Sequence, residues 1–133
     1  MRNFNHGTVF KEKCTWLLGD SGKFHRFTPP TDQFCDTWQI RFDNQVDDTM
    51  EITIESEDVD GTLVPVAGFD PRTVEGAENE EWLVTSKNPT LKITVTEDAG
   101  VLGTSGPFVV KVKAWNTTNF ADSGSYSDNS PVV

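Results

Sequence analysis

The sequence predicts an all-β protein in which two antiparallel sheets pack face to face as a β-sandwich. Three observations support this: apolar residues recur at every second position, turn-forming clusters separate these runs, and no long stretch has the 3.6-residue period of a helix. A sheet with one apolar face must cover that face, so seven or eight short strands with polar outer sides should form two packed sheets. The expected connectivity is that of a jelly roll or an immunoglobulin-like sandwich.

The clearest strand spans 108–115. Its even-numbered residues are all apolar, whereas Lys111 and Lys113 occupy odd positions, so one side faces a core and the other faces water. Seven further strands are predicted from similar or weaker alternation, at 8–18, 24–27, 38–42, 50–55, 62–66, 82–85 and 91–96. The expected core residues are Phe42, Ile52, Ile54, Ile93, Val95, Val110 and Val112.

A chain of 133 residues has the size of one domain, and no linker or internal repeat divides it. We therefore expect a single sandwich domain over residues 1–133. Flexible arms are expected at 1–7 and 117–133, because both segments are polar and contain few apolar residues. The second segment is alternatively a loosely attached edge of a sheet.

The charge of the chain is strongly negative and unevenly distributed. The net charge is −10; residues 1–41 hold six basic and four acidic residues, whereas 42–133 hold five basic and seventeen acidic residues. Such a field repels a nucleic-acid duplex or an anionic membrane, so neither is expected as a partner. No apolar stretch approaches the roughly 20 residues of a membrane-spanning helix.

No catalytic signature is present, and we expect a protein without enzymatic activity and without a resident cofactor. Two cysteines and two histidines lack the spacing of a zinc site. Cys14 shares the strand parity of Trp16, whereas Cys35 has the opposite parity to Trp38. One thiol should therefore point inward and the other outward, which argues against a disulfide.

Two groups of residues are candidate binding sites. Glu57, Asp58 and Asp60 supply closely spaced carboxylates beside a glycine turn, which suits a calcium ion, although an ordinary β-turn explains the same residues. Trp115 shares the outward parity of the lysines in its strand, so it should contact a sugar, another subunit or the polar tail of the chain. With the isolated aromatic residues Phe120 and Tyr126, it forms the candidate docking surface.

The stretch from 36 to 126 resembles the bacterial pre-peptidase C-terminal domain, a small secreted β-sandwich. The similar segments run in the same order: Asp36-Thr37-Trp38-Gln39-Ile40-Arg41-Phe42, Met50-Glu51-Ile52-Thr53-Ile54, Gly106-Pro107-Phe108-Val109-Val110-Lys111-Val112-Lys113-Ala114-Trp115 and Gly124-Ser125-Tyr126. This resemblance implies a non-catalytic module of a secreted enzyme.

An acidic sandwich with polar ends also resembles, in general type, the phage accessory proteins that decorate capsids. The N-terminal residues lack the apolar stretch of a secretion signal, which favours assembly in a host cytoplasm. The sequence therefore predicts a virion decoration or cement protein that binds a capsid or other protein assembly, and itself. The alternative is a carbohydrate- or calcium-binding accessory module of an extracellular surface or secreted protein.

Overall fold

The computed structural model describes residues 9–17, 19–30, 35–45, 49–66, 71–75, 78–97, 107–116 and 125–133. These residues form ten β-strands and no helix. The strands are β1 (Phe10–Trp16), β2 (Phe24–Phe27), β3 (Thr37–Asn44), β4 (Met50–Glu57), β5 (Leu63–Pro65), β6 (Arg72–Val74), β7 (Asn79–Thr85), β8 (Thr90–Glu97), β9 (Phe108–Trp115) and β10 (Ser127–Asn129). The protein is therefore all-β, as predicted.

The strands form two sheets that pack as a sandwich. Sheet one has the order β10-β1-β9-β3-β7, and sheet two has the order β2-β8-β4-β5, with β6 also paired to β4. Every pair is antiparallel except β1 with β10. Strand β1 pairs with β9, β2 with β8, β3 with β7, and β4 with β5 and β6. This nested pairing is the connectivity of a jelly roll, which decides between the two predicted topologies.

All eight predicted strands are present, and the structure adds β6 and β10; β10 is an edge strand within the segment for which an arm or a loosely attached edge was expected. Each of these has only three residues, which is too short for alternation to be visible in the sequence. Strand β7 also begins three residues earlier than predicted, at Asn79, because its first half carries charged residues where the prediction required apolar ones.

The alternation buries one side of each sheet, and all seven predicted core residues lie in the hydrophobic core. That core consists of Cys14, Trp16, Phe27, Cys35, Trp38, Ile40, Phe42, Met50, Ile52, Ile54, Val74, Val84, Leu91, Ile93, Val95, Phe108, Val110, Val112 and Ala114. Indole N–H groups of Trp16 and Trp38 donate to the backbone carbonyls of Lys23 and Ser86, at 3.0 and 3.1 Å. These bonds satisfy the polar ends of two fully buried rings.

The prediction that Cys35 points outward is wrong. Cys35 is only 6% exposed and belongs to the core. Strand β3 begins at Thr37, so the parity used for the prediction does not extend to Cys35. Both thiols are free. Burial raises the pKa of Cys14 to about 12, with smaller contributions from nearby carboxylates, and burial together with Asp36 raises the pKa of Cys35 to about 11.

One side of the sandwich is closed by the C-terminal residues. Strand β10 runs beside β1 in sheet one, and Val132 then exchanges two backbone hydrogen bonds of 2.7 Å with Phe24 in sheet two. On the same side, Glu12 of β1 and His25 of β2 form a hydrogen bond of 2.8 Å between the sheets. Residues 127–132 thus pass from one sheet to the other. The predicted arm at 1–7 and residues 117–124 lie outside the described residues.

Candidate docking surface

The outer side of sheet one gathers five of the eleven basic residues of the chain. Strand register places them on three neighbouring strands, because residues directly opposite each other in an antiparallel pair point to the same side. We call this surface the basic face; its cations are Lys11, Lys13, Arg41, Lys111 and Lys113. The outward residues of these three strands and of the edge strands β7 and β10 include only three carboxylates, Asp43, Glu81 and Asp128.

A row of charged side chains crosses all five strands of sheet one. Its order is Asp128, Lys13, Lys111, Arg41 and Glu81. The two ends are ion pairs, Lys13 with Asp128 at 3.1 Å and Arg41 with Glu81 at 3.2 Å. The central cation, Lys111, lies between two other cations. Like charges directly opposite each other destabilise a sheet, so this arrangement opposes folding locally.

The neighbouring row again places two cations opposite each other, and its described residues include no carboxylate. Lys11 lies opposite Lys113, which lies opposite Gln39, and Leu83 ends the row on the edge strand β7. The ring of Tyr126 lies near both rows, with its centroid 5.8 Å from Nζ of Lys11 and 5.7 Å from Nζ of Lys111. At these distances the aromatic ring offers the two ammonium groups a weak cation–π contact.

The structure places two of the three residues predicted for docking on the same outer side of sheet one. Trp115 ends β9, half-buried, on the same outer side as Lys113, and Tyr126 lies over the lysines just before β10. Phe120 lies outside the described residues. The cluster of cations around these aromatic residues was not predicted. Its lysines come from two segments about a hundred residues apart in the chain, and the pairing of β9 with β1 and with β3 makes them and Arg41 neighbours.

A shallow cleft adjoins the basic face where β3 and β7 meet. Its volume is about 170 Å³, and its lining includes Arg41, Glu81, Lys111 and the polar side chain of Asn79. The cleft presents both signs of charge within a small area. A polar protein side chain fits such a depression better than an apolar one does.

The candidate calcium residues are engaged in the turn between β4 and β5. Glu57 forms an ion pair of 2.7 Å with Arg26. Asp58 accepts a hydrogen bond from the N–H of Val59 through its side chain, and Asp60 accepts one from the N–H of Thr62. That bond lowers the pKa of the exposed Asp60 carboxyl. Gly61 has φ of +89°, which a turn of this kind requires.

The contacts of Asp58 and Asp60 are those of an ordinary β-turn, and Glu57 is paired with a cation of β2. In the part of the chain that the structure describes, no three His, Cys, Asp or Glu side chains are arranged to hold a metal ion. The carboxylates of Glu57, Asp58 and Asp60 therefore do not converge on one point. The described residues also include no helix that is long and apolar enough to cross a membrane.

Comparison with known proteins finds distant structural likeness but no family. No family model matches the chain, and no curated protein matches it. Among solved structures, a chain from the structure of infectious bursal disease virus Gx strain is similar over 84% of this protein and 33% of that chain, with a TM-score of 0.42 and 12% identity. This protein therefore spans about a third of that chain. A likeness at this level carries no information about function.

Proposed function

We propose that this protein is a non-enzymatic docking module that attaches to an acidic surface of a larger protein assembly through its basic face. The observation that supports this is the placement of cations opposite cations on one face of a chain whose net charge is −10. An acidic partner would add opposite charge beside these opposed cations.

The energetic argument starts from the free chain. Each pair of like charges directly opposite each other is unfavourable, at a cost of about 0.2–1 kcal/mol. Three such pairs are present: Lys11 with Lys113, and Lys111 with both Lys13 and Arg41. Surfaces used in binding are often kept at the expense of stability. Complementary charge on a partner increases the association rate and fixes the orientation of docking.

Aromatic residues provide the second component of the surface. Trp115 and Tyr126 flank the lysines, and aromatic side chains contribute more binding energy at protein interfaces than most others do. Lysines alone would give a diffuse attraction that salt screens readily. Lysines beside two large rings give the surface both charge and apolar contact area.

Within this class we propose an accessory protein of a virus particle, a decoration or cement protein that is assembled in the host cytoplasm and resides on the virion. The jelly-roll connectivity supports this by analogy, since viral capsid and lectin domains use it. Fold analogy does not identify a partner. In this arrangement the basic face contacts the capsid and the acidic remainder of the chain faces solvent.

The test is co-sedimentation with particles, using variants matched in charge. Lys111→Gln with Lys113→Gln removes two positive charges from the basic face and keeps much of each side chain. Lys87→Gln with Lys92→Gln removes the same charge elsewhere. The tagged wild type and the second variant should pellet with the particle. The first variant should lose about tenfold in affinity or more, and wild-type binding should weaken as salt is raised.

Neighbouring genes determine which particle to use. Capsid and terminase genes beside this gene would support the virion proposal, whereas hydrolase or surface-protein genes would favour the carbohydrate- or calcium-binding alternative. Equal pelleting of the wild type and both double variants would contradict docking through the basic face. Failure of the wild type to pellet with the particle encoded beside it would contradict attachment to a virion.

A further inference from the structure

Strand β7 differs from the other sheet edges in the described residues. Natural edge strands are protected by being short, by proline or lysine, or by a covering segment. Strand β10 has three residues, β2 has four and is bridged to Val132, and β5 and β6 have three each, with Pro65 in β5. Strand β7 has seven residues, and among the described strands it pairs only with β3. Glu80 and Glu81 protect its first half by their charge, whereas its second half, residues 82–85, has neither a charged residue nor proline.

One exposed apolar residue, Leu83, lies on this edge. Six large hydrophobic residues are exposed in the part of the chain that the structure covers: Leu17, Val59, Val64, Leu83, Val132 and Val133. Only Leu83 and Val64 lie within strands. Leu83 is 68% exposed on the outer side of β7, and Val64 is 50% exposed on β5, the edge of sheet two. The other four are in turns or in the last two residues.

A cleft separates the two sheets beside β7. Its volume is about 440 Å³, and its lining comes from β7, from the end of β5 and from Arg72 of β6. The guanidinium of Arg72 lies 3.7 Å from the ring centroid of Trp82, and Phe42 packs edge-on against the same ring at 5.1 Å. The inward row of β7 therefore borders both the core, to which Val84 belongs, and a gap beyond the edge of its sheet.

We propose that β7 pairs in antiparallel fashion with β7 of a second copy of this chain, about a two-fold axis at Leu83. In this register Leu83 faces Leu83 of the second copy on the outer side. Trp82 lies opposite Val84 of the second copy on the inner side, and Glu81 lies opposite Thr85. Every opposed pair points to the same side of its sheet, as antiparallel pairing requires.

This register places apolar residues opposite apolar residues and avoids opposing like charges. No like charges lie directly opposite each other, and the exposed Leu83 is covered by its own counterpart. The inward side chains of the added strand, Val84 and Trp82 of the second copy, extend over the 440 Å³ cleft. Main-chain hydrogen bonds along the paired strands supply affinity, as in other cases of strand addition.

Salt distinguishes this dimer from docking on the basic face. Two copies with a net charge of −10 repel each other, and salt screens that repulsion, so dimerisation through an apolar edge should strengthen as salt is raised. Binding of the basic face to an acidic partner should weaken under the same change. The basic face and the edge of β7 adjoin on sheet one, but the two proposals predict opposite salt dependences, so either can fail while the other holds.

Sedimentation equilibrium of the full chain tests the dimer, at low and high sodium chloride and across a wide range of protein concentration. The wild type should shift from 14.8 kDa towards twice that mass, more readily in high salt. Leu83→Lys should remain monomeric, because it places two ammonium groups together at the axis. Leu83→Met should dimerise like the wild type. Val59→Lys, at an 86% exposed turn position, should also dimerise.

Circular dichroism shows whether each variant is folded; the side chain of Leu83 is mostly in solvent, so all three should melt close to the wild type. A wild type that stays monomeric at every salt and concentration would overturn the proposal. A dimer that persists in folded Leu83→Lys would also overturn it, since the contact would then lie elsewhere.

Discussion

The outer faces of the two sheets arrange their charges in opposite ways. On sheet two, Lys92 lies opposite Glu55, and Arg26 forms an ion pair of 2.7 Å with Glu57. Arg26 and Lys92 are themselves opposed, but each has a carboxylate beside it, and both lie over the ring of Phe24. On sheet one, three pairs of cations are opposed, and Lys111 has cations on both sides. The charges of sheet two favour folding, whereas those of sheet one suit an acidic partner.

The inner faces show no such difference. Both consist of aliphatic and aromatic side chains that belong to one core, and fully buried residues come from each sheet. The core therefore does not dictate the charge pattern outside it, because alternate residues of a strand point to opposite sides. The contrast between the outer faces reflects what each face contacts.

A charge placed in the inner row of either sheet should have the largest effect. Ile93→Asp in β8 and Val110→Asp in β9 each force an unpaired carboxylate into fully apolar surroundings, at a cost above about 4 kcal/mol. Both variants should fail to give soluble, folded protein. Gln39→Asp, on the outer side of β3 beside Lys113, should fold normally. Cooperative melting of Val110→Asp would show that the inner face of sheet one is misassigned.

The sequence was sufficient for the eight longer or better-patterned strands and for the seven core residues predicted from them, but not for the surface. Alternation in 108–115 gives both the strand and its buried side, since the period is visible over eight residues. Alternation gives no strand order, so the jelly roll could not be separated from an immunoglobulin-like sandwich. The neighbourhood of Lys13 and Lys111 depends on that order. Cys35 was wrongly predicted because parity was extended beyond the start of β3.

The two buried thiols predict a loss of stability at alkaline pH. Their pKa values are raised to about 12 for Cys14 and about 11 for Cys35, chiefly by burial, so the folded state favours the neutral thiol. Their contribution is complete below the unfolded-state pKa near 9 and declines as pH rises towards the folded values.

Melting temperature measured from neutral to alkaline pH checks this. Wild-type stability should fall above about pH 9, and Cys35→Ala should fall less steeply over the same range. At pH 8, iodoacetamide should leave both thiols of the folded protein unmodified and label both after denaturation. Rapid labelling of Cys14 in the folded state would contradict the burial of this residue on the inner side of sheet one.

Single charge removals should change stability in opposite directions on the two faces. Lys111→Gln removes the cation between Lys13 and Arg41 and should stabilise the chain by about 0.2–1 kcal/mol. Glu55→Gln removes the carboxylate opposite Lys92 and should destabilise it by a similar amount. Urea denaturation at about 0.15 M salt, where long-range repulsion is screened, measures both. Destabilisation by both substitutions would contradict the contrast between the faces.

The most direct test of docking through the basic face is a titration of isotope-labelled protein with poly-L-glutamate, a probe for an acidic protein surface, followed by NMR. Shift changes should be confined to the outward residues of β1, β3 and β9 and to Tyr126. They should weaken as salt is raised and should be much smaller in the variant with Lys111→Gln and Lys113→Gln. Shift changes spread equally over sheet two, or none at all, would contradict an acidic partner on sheet one.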